Sequence, residues 1–310
     1  MLAILLSLLA AAMNATASVC QRRADRDESD RASTLRLLLD LVRRPVWIAG
    51  IGAMISGFAL ESVALTLGRI AVVEPVMIAE LPLTLVGATL AFHRRLSARA
   101  WTAIAGLAVG VAGFVFSLGP EGGDPGAVPL WLWLVAGAVT LGVAVVCVVA
   151  ATRFRRPRAA LLGVGTGIVF GLMSALISGV GATYAHGGLG LLLTSWQTYA
   201  AIVVGPSSFF LLQNALQAGT LVASQPGFTL LNPLVGVLWG TLVFGERVRG
   251  GAWIAGAVAG AVVVTAATLL LLRTAGMGHE QPGPADQPEP ADQPEPADQP
   301  EPSDQLGPAG

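Results

Sequence analysis

The chain has 310 residues, of which 54% are hydrophobic and only 12% are charged. This composition is too apolar for a soluble domain of that length and indicates a membrane protein. Its two cysteines, Cys20 and Cys147, are far apart in apolar sequence, which excludes a disulfide framework and a CxxC metal site. The net charge of −1 gives no indication of an anionic partner.

Nine stretches are long and apolar enough to cross a bilayer, which takes about 20 helical residues. They are 1–20, 46–67, 69–92, 100–118, 129–151, 159–181, 193–217, 219–244 and 252–272. The first begins without basic residues and is followed by an arginine cluster, the reverse of a secretory signal, so we interpret it as a retained helix. The sequence therefore predicts an all-α polytopic membrane protein with nine transmembrane helices.

The distribution of arginine predicts the orientation, since inner loops of membrane proteins are enriched in basic residues. With the N-terminus outside, only Arg69, Arg247 and Arg249 of the 18 arginines fall outside. We therefore expect a multi-pass protein of the cell membrane, with its N-terminus outside and its C-terminus in the cytoplasm.

One segment of the chain occurs twice. The first copy contains Ala64, Leu65, Gly68, Pro75, Pro82, Phe92 and Trp101. The second contains, at matching spacing, Ala215, Leu216, Gly219, Pro226, Pro233, Phe244 and Trp253, with one residue inserted after the second proline. Duplicated membrane segments with interrupted helices at corresponding places are typical of secondary transporters.

The odd number of helices makes the two copies inverted relative to each other. We expect two four-helix repeats around a central fifth helix, with a first repeat at 1–118, a linking segment at 119–158 and a second repeat at 159–275. Residues 276–310 are rich in Pro, Asp, Glu and Gln, and we expect this tail to be disordered because it cannot form a core. Residues 35–42 are leucine-rich and fit either an amphipathic helix on the inner surface or a solvated linker.

The second copy also carries the motif Gln225-Pro226, Asn232-Pro233 and Phe244-Gly245-Glu246-Arg247. This pattern resembles the repeat ending of the drug/metabolite transporter superfamily, EamA type. The resemblance covers the second to fourth and seventh to ninth predicted helices well, and the first and sixth weakly. Typical members have ten helices in two inverted halves of five, against nine predicted here. The resemblance implies a transporter of small solutes that works by alternating access.

Arg44-Pro45-Val46-Trp47 before the second helix resembles the NIPA-type magnesium transporters of the same superfamily. In that group the second helix has a Gly-Glu pair with an Asn three residues later. This chain has Gly57-Phe58 there and Glu61 at the Asn position. Because an apolar residue replaces the acidic one, we keep magnesium transport as an alternative only.

Three glutamates lie within the second and third predicted helices: Glu61, Glu74 and Glu80. A charged side chain in a membrane helix costs about 2.5–3.5 kcal/mol on insertion scales, so each is a candidate for binding substrate or a coupling ion. Glu80 is the leading candidate because it lies nearest the membrane midplane. Glu74 has the alternative of pairing with Arg69, one turn away.

The second repeat carries amides where the first has carboxylates. The candidate amides for the same site are Gln213, Asn214, Gln225 and Asn232. Pro75, Pro82, Pro226 and Pro233 each remove a helical hydrogen bond and predict helix breaks whose freed carbonyl groups line a cavity. Their structural alternative is a set of kinks that let the helices curve.

Other recurring residues have packing roles by default. Glycine pairs at 106/110, 163/167 and 256/260 predict close helix contacts. Tryptophans near the predicted helix ends fit anchors at the membrane surface; they are Trp101, Trp131, Trp133, Trp196 and Trp253.

The sequence thus predicts a secondary transporter of a small molecule or cation, embedded in the lipid bilayer. It contains no catalytic triad pattern, phosphate loop or metal-ligand cluster, so we expect neither an enzyme nor a cofactor, and no nucleic-acid partner. The identity of any bound metal is left undetermined. The alternatives are a NIPA-like carrier of magnesium or another divalent cation, and a membrane scaffold that transports nothing. A homodimer is one open alternative for its assembly.

Overall fold

The computed structural model of the chain describes residues 1–26, 45–92, 96–154, 158–218 and 221–276. Its N-terminal part consists of helices α1 to α5 in chain order, which are Leu2–Arg26, Pro45–Leu67, Ile70–Met77, Glu80–Phe92 and Ala98–Leu118. The later helices, α6 to α10, are Leu130–Arg153, Arg158–Thr194, Trp196–Gln217, Leu221–Leu238 and Ala252–Gly276. The predicted linker or surface helix at 35–42 and the C-terminal tail lie outside the described residues, as do positions 219 and 220.

Seven helical spans in the described part are long and apolar enough to cross a membrane. One of them, Ile70–Ala91, combines α3 and α4. A further apolar stretch, Gly227–Val243, is shorter. Many large hydrophobic side chains on the outer helix faces are exposed, including most of those on α6. In water such a surface would cause aggregation, whereas a bilayer covers it. The chain is an all-α, multi-pass membrane protein.

The longest helix, α7, forms the centre of the molecule and is the most buried of the seven spans. It packs against α6, α8 and α9, while α1 packs against α2, and α5 against α10. At 37 residues α7 is much longer than the predicted span 159–181. The continuous part up to Gly188 measures about 45 Å, so it extends well past a hydrocarbon core of about 30 Å. Gly188, at φ 62°, kinks this extension.

The predicted glycine contacts occur at two helix pairs. Between α7 and α9, a Cβ added to Gly227 would lie 2.7 Å from the backbone nitrogen of Val164 and 2.9 Å from the carbonyl carbon of Gly163. Between α5 and α10, a Cβ on Gly260 would lie 2.7 Å from the backbone nitrogen of Phe114. The absence of side chains at these glycines therefore lets the helix backbones touch.

A small cap closes one end of the bundle. Strands β1 (Glu121–Gly122) and β2 (Glu246–Arg247) form a two-stranded antiparallel sheet. The loop before α6 contains a 3-10 turn at Pro125–Ala127, and a π-helical turn at Trp239–Val243 continues α9. The Gly68 turn between α2 and α3 lies beside these elements, since Arg69 Nε donates to the carbonyl of Gly122 at 3.1 Å. We call this region, residues 68–69, 119–129 and 244–251, the Gly68 end.

One expected surface anchor is buried. Trp133 is only 2% exposed and packs against Trp196, Trp239 and Phe244. The prediction of a surface anchor was wrong at this position because proximity to a helix end does not fix which face a residue occupies. Trp101, Trp131 and Trp253 are exposed, as expected.

Candidate functional site

The third membrane span is broken where the two prolines of the first copy predict it. Helix α3 ends at Met77, and α4 begins at Glu80. Pro82 has no N–H to donate to the carbonyl of Ile78 four residues earlier. That carbonyl accepts instead from the backbone nitrogen of Leu81 at 3.2 Å. The break therefore places Glu80 in the first turn of a new helix inside the membrane span.

The second copy differs from this pattern. Helix α9 continues from Leu221 to Leu238 through both Pro226 and Pro233, and the departure from α-helical geometry comes later, in the π turn at Trp239–Val243. The matched prolines therefore produce a break in one repeat and a continuous helix in the other. Close packing of α9 against the glycine face of α7 supports the continuous helix.

Glu74 is fully buried between α3 and α9. Its side chain fills the space above Gly236 of α9, where an added Cβ would lie 2.6 Å from the Glu74 Cγ. Neither carboxylate oxygen has a hydrogen-bond partner among the described residues. Ser174 of α7 and Asn232 of α9 lie beside the carboxylate without forming a hydrogen bond of normal geometry. The expected alternative, a pair with Arg69, is not formed, because Arg69 bonds to Gly122 instead.

Glu80 is held by the first helix. Asn14 Nδ2 of α1 donates to Glu80 Oε2 at 3.4 Å. The same amide packs directly on Gly57 of α2, where any side chain would collide with it. Gly57 thus leaves room for Asn14, and Asn14 links α1 and α2 to the start of α4. The carboxyl group of Glu80 thus has a hydrogen bond of normal geometry, whereas that of Glu74 only has Ser174 and Asn232 beside it.

Glu61 completes the cluster from α2. It is half-buried, and the charges of Glu74 and Glu80 both act on it. Acidic side chains from α2, α3 and α4 therefore lie within electrostatic range of Glu61, with Glu74 buried and Glu61 and Glu80 half-buried. In the part of the chain that the structure describes, no three His, Cys, Asp or Glu side chains are close enough to hold a metal ion. We call Glu61, Glu74 and Glu80 the glutamate cluster.

Of the three predicted amides whose side chains the structure describes, one lies at this cluster. Asn232 lies beside Glu74, and its buried Oδ1 has no partner among the described residues. Gln213 is exposed, and Asn214 donates to the carbonyl of Phe210 in its own helix at 2.7 Å. The side chain of Gln225 lies outside the described part of the chain.

One functional-looking contact was not predicted. Glu246 follows the π turn, is 6% exposed, and accepts hydrogen bonds from the first backbone amides of α3. The Ile70 N–H donates to Oε1 at 3.1 Å, and the Ala71 N–H donates to Oε2 at 3.3 Å. The sequence signal was present in the Phe244-Gly245-Glu246 motif, but the motif alone does not identify a partner so far away in the chain.

The side chain of Glu246 is buried from solvent although the residue lies outside the membrane spans. Burial raises the pKa of Glu246 to about 7, while the hydrogen bonds from Ala71 and Ile70 and the charge of Arg69 act in the opposite direction. Burial therefore destabilises the charged form of Glu246 more than these three partners stabilise it. Glu246 can change its protonation state close to physiological pH.

Comparison with known proteins gives one informative relative. The chain is 30% identical over 286 residues to an uncharacterized protein of Corynebacterium glutamicum. The match covers 89% of this chain and 96% of the corynebacterial protein. No protein-family model matches the chain, and no solved structure matches it significantly.

Proposed function

The chain belongs to the same protein family as this corynebacterial protein, and we propose that it is a secondary membrane transporter. The proposal places it in the drug/metabolite transporter superfamily and has it move a small solute by alternating access. In this account the glutamate cluster and Asn232 bind the substrate or the coupling ion. The residues bind and release, and no covalent chemistry takes place.

Glu74 is the observation that carries the proposal. A buried carboxylate that has only Ser174 and Asn232 beside it, and no hydrogen bond of normal geometry among the described residues, is expensive in a membrane interior. Such residues generally mark the path of a substrate or ion. A packing role does not require an acid here, since the corresponding position of the second copy is the amide Gln225. Binding of a proton, a cation or a polar solute would offset the cost of burying this side chain.

The packing of the helices supports a two-repeat arrangement. In each predicted repeat the first helix packs against the second, α1 on α2 and α7 on α8. Corresponding helices of the two repeats also meet, α3 with α9 and α5 with α10. We infer nine membrane-crossing helices in two inverted repeats around α6, with the Gly68 end outside. In such transporters the site lies at the interface of the two repeats, and Glu74 meets α9 at that interface.

The arrangement of the described carboxylates disfavours magnesium as the substrate. Mg²⁺ prefers an octahedral set of oxygen ligands and retains part of its water shell. The described carboxylates share one region but do not converge on one point. A non-transporting scaffold would give no reason for a buried glutamate at position 74 whose carboxylate has no hydrogen bond of normal geometry among the described residues.

A thermal-shift screen on the purified protein tests the proposal. Metabolites and divalent cations, including Mg²⁺, are added to the wild type, to Glu74→Gln and to Glu121→Gln, which alters an exposed acid at the Gly68 end. We expect a compound that stabilises the wild type and Glu121→Gln but not Glu74→Gln. Equal stabilisation of all three proteins would contradict binding at the glutamate cluster, and stabilisation by Mg²⁺ alone would favour the magnesium alternative.

A further inference from the structure

The two halves of the chain are fastened together at the Gly68 end. Strand β1 follows α5 of the first half, and β2 follows α9 of the second. Arg249 adds a backbone bond to the carbonyl of Leu118 at 2.9 Å, and its Nη1 donates to the carbonyl of Phe116 at 3.2 Å. Its guanidinium lies 5.1 Å from the ring of Trp253. These contacts fasten the loop after β2 to the ends of α5 and α10. One further contact joins this cap to a helix that lines the site.

That further contact is the bond between Glu246 and α3. The first amides of a helix have no partner within it, and a side-chain oxygen that accepts hydrogen bonds from them satisfies them. Glu246 fills this role for Ile70 and Ala71 from across the molecule. Arg69, the residue before the helix, provides no side-chain cap of its own. The N-terminus of α3 therefore depends on Glu246.

The cap is directly connected to the glutamate cluster. Helix α3 has only eight residues, and Glu74 is its fifth. Gly236 of α9 packs against Glu74, and Gly240, one turn further, packs against Glu246. An added Cβ at either glycine would also approach the side chain of Ile70, at 3.4 Å and 2.9 Å respectively. Any movement of α3 away from α9 would therefore break the cap and open the surroundings of Glu74 together.

The first repeat carries no acid at the position equivalent to Glu246. Counted from Phe92, which corresponds to Phe244, that position is Arg94. An arginine donates hydrogen bonds but accepts none, so it cannot cap the N-terminus of a helix. The two ends of the molecule are thus chemically different.

We propose that Glu246 is a latch that holds the Gly68 end closed by capping α3, and that its release opens a path to Glu74 from that end. This role rests on the proposed transport function, but the latch can be tested without a substrate. Glu246 acts here as a positioning residue, since it touches α3 and does not line the glutamate cluster.

Hydrogen exchange on the full-length protein, measured by mass spectrometry at about pH 6, tests the cap. Losing a capping side chain should accelerate exchange at the start of α3 about fivefold in Glu246→Ala. Peptides from α5, α6 and α10 should be unaffected. Glu121→Ala, which removes the exposed acid of the partner strand, should match the wild type. Unchanged exchange at 68–77, or equal acceleration throughout the protein, would overturn the proposal.

Thiol reactivity tests the path. Ser178 is 3% exposed and lies one helical turn beyond Ser174 on α7, toward the Gly68 end. Ser178→Cys is introduced with Cys20 and Cys147 replaced by alanine. A membrane-impermeant thiol reagent should modify it about fivefold faster when Glu246→Ala is also present, and not with Glu121→Ala. If Glu246→Ala accelerates hydrogen exchange in α3 but does not accelerate labelling at position 178, Glu246 caps the helix without controlling a path to Glu74. That result would overturn the latch. If both readouts are as expected but the protein takes up no substrate, the transport function would be contradicted and the latch would stand.

Discussion

At the scale of single residues, the sequence singled out three acids and one amide, Asn232, that lies beside Glu74 in the structure; their binding role stays a prediction. Glu61, Glu74 and Glu80 were identifiable because carboxylates are rare in apolar helices. Which helix face each side chain occupies depends on packing between distant segments. Gln213 and Asn214 therefore could not be placed from the sequence, and the contact of Glu246 with α3 could not be found.

The structure also changes the relative importance of two glutamates. Depth in the membrane favoured Glu80, but Asn14 provides Glu80 with a hydrogen bond, whereas Glu74 has none among the described residues. Replacing an unpartnered buried carboxylate by an amide should stabilise the protein by about 1–3 kcal/mol, since an amide costs less to bury. We expect Glu74→Gln to raise the melting temperature more than Glu80→Gln. Thermal unfolding in detergent measures both, and the opposite ranking would show that the neighbouring Ser174 and Asn232 stabilise the Glu74 carboxylate.

The pH dependence of the cap follows from the raised pKa of Glu246. Its pKa is about 7 when buried, against an ordinary value of 4.5, so the closed end binds a proton more tightly than an open one. Closure is therefore fully favoured below about 4.5 and is weakened as the pH rises to about 7. The charged groups nearby are Arg69, Glu121, Arg247 and, one turn along α3, Glu74.

Hydrogen exchange at the start of α3 measures this dependence. After correction for intrinsic exchange rates, protection in the wild type should fall about seventyfold between about pH 5 and about pH 8. Glu246→Gln cannot ionise and should give a flat profile. A wild-type profile as flat as that of the variant would mean that Glu246 keeps one protonation state over this range.

At the scale of elements, apolar length predicted the helices and glycine spacing predicted their contacts. The break between α3 and α4 also matched the prolines. The prolines of the second copy, in contrast, did not predict the continuous helix α9. A helix tolerates proline where a closely packed neighbour supports it. The length of α7 was underestimated because bilayer thickness limits only the part of a helix that lies in the membrane.

The contact between α7 and α9 gives a test with a matched control. Gly227→Ala places a methyl group against the backbone of Val164 and Gly163, and such overpacking should destabilise the protein by about 1–3 kcal/mol. Gly137 lies in α6 with nothing within 4 Å of an added Cβ. Gly137→Ala should be neutral or slightly stabilising, because alanine favours helix. Equal melting temperatures for the two variants would show that α7 and α9 are not in close contact.

At the scale of the whole molecule, composition and hydropathy established a multi-pass helical membrane protein, and the structure agrees. The number of crossings, the orientation and the inverted repeat remain predictions. They depend on where the bilayer lies, which arginine placement indicates only through statistics.

Cysteine labelling tests the orientation. Ala98 and Ala127 are both exposed and lie at opposite ends of α5. In a protein without native cysteines, an impermeant reagent applied to intact cells should label Ala127→Cys and leave Ala98→Cys unlabelled until the membrane is permeabilised. The reverse pattern would invert the topology, and labelling of both positions would exclude a membrane crossing between them.

Uptake into proteoliposomes tests the central claim most directly. The compound that stabilises the purified protein is supplied in radiolabelled form to vesicles containing the wild type, Glu74→Gln or Glu121→Gln. The account predicts saturable uptake by the wild type and Glu121→Gln, and a loss of about tenfold or more in Glu74→Gln, because a bound ligand or ion would lose its charged partner. Uptake by Glu74→Gln at the wild-type rate across the pH range, or none by the wild type, would contradict transport through the glutamate cluster.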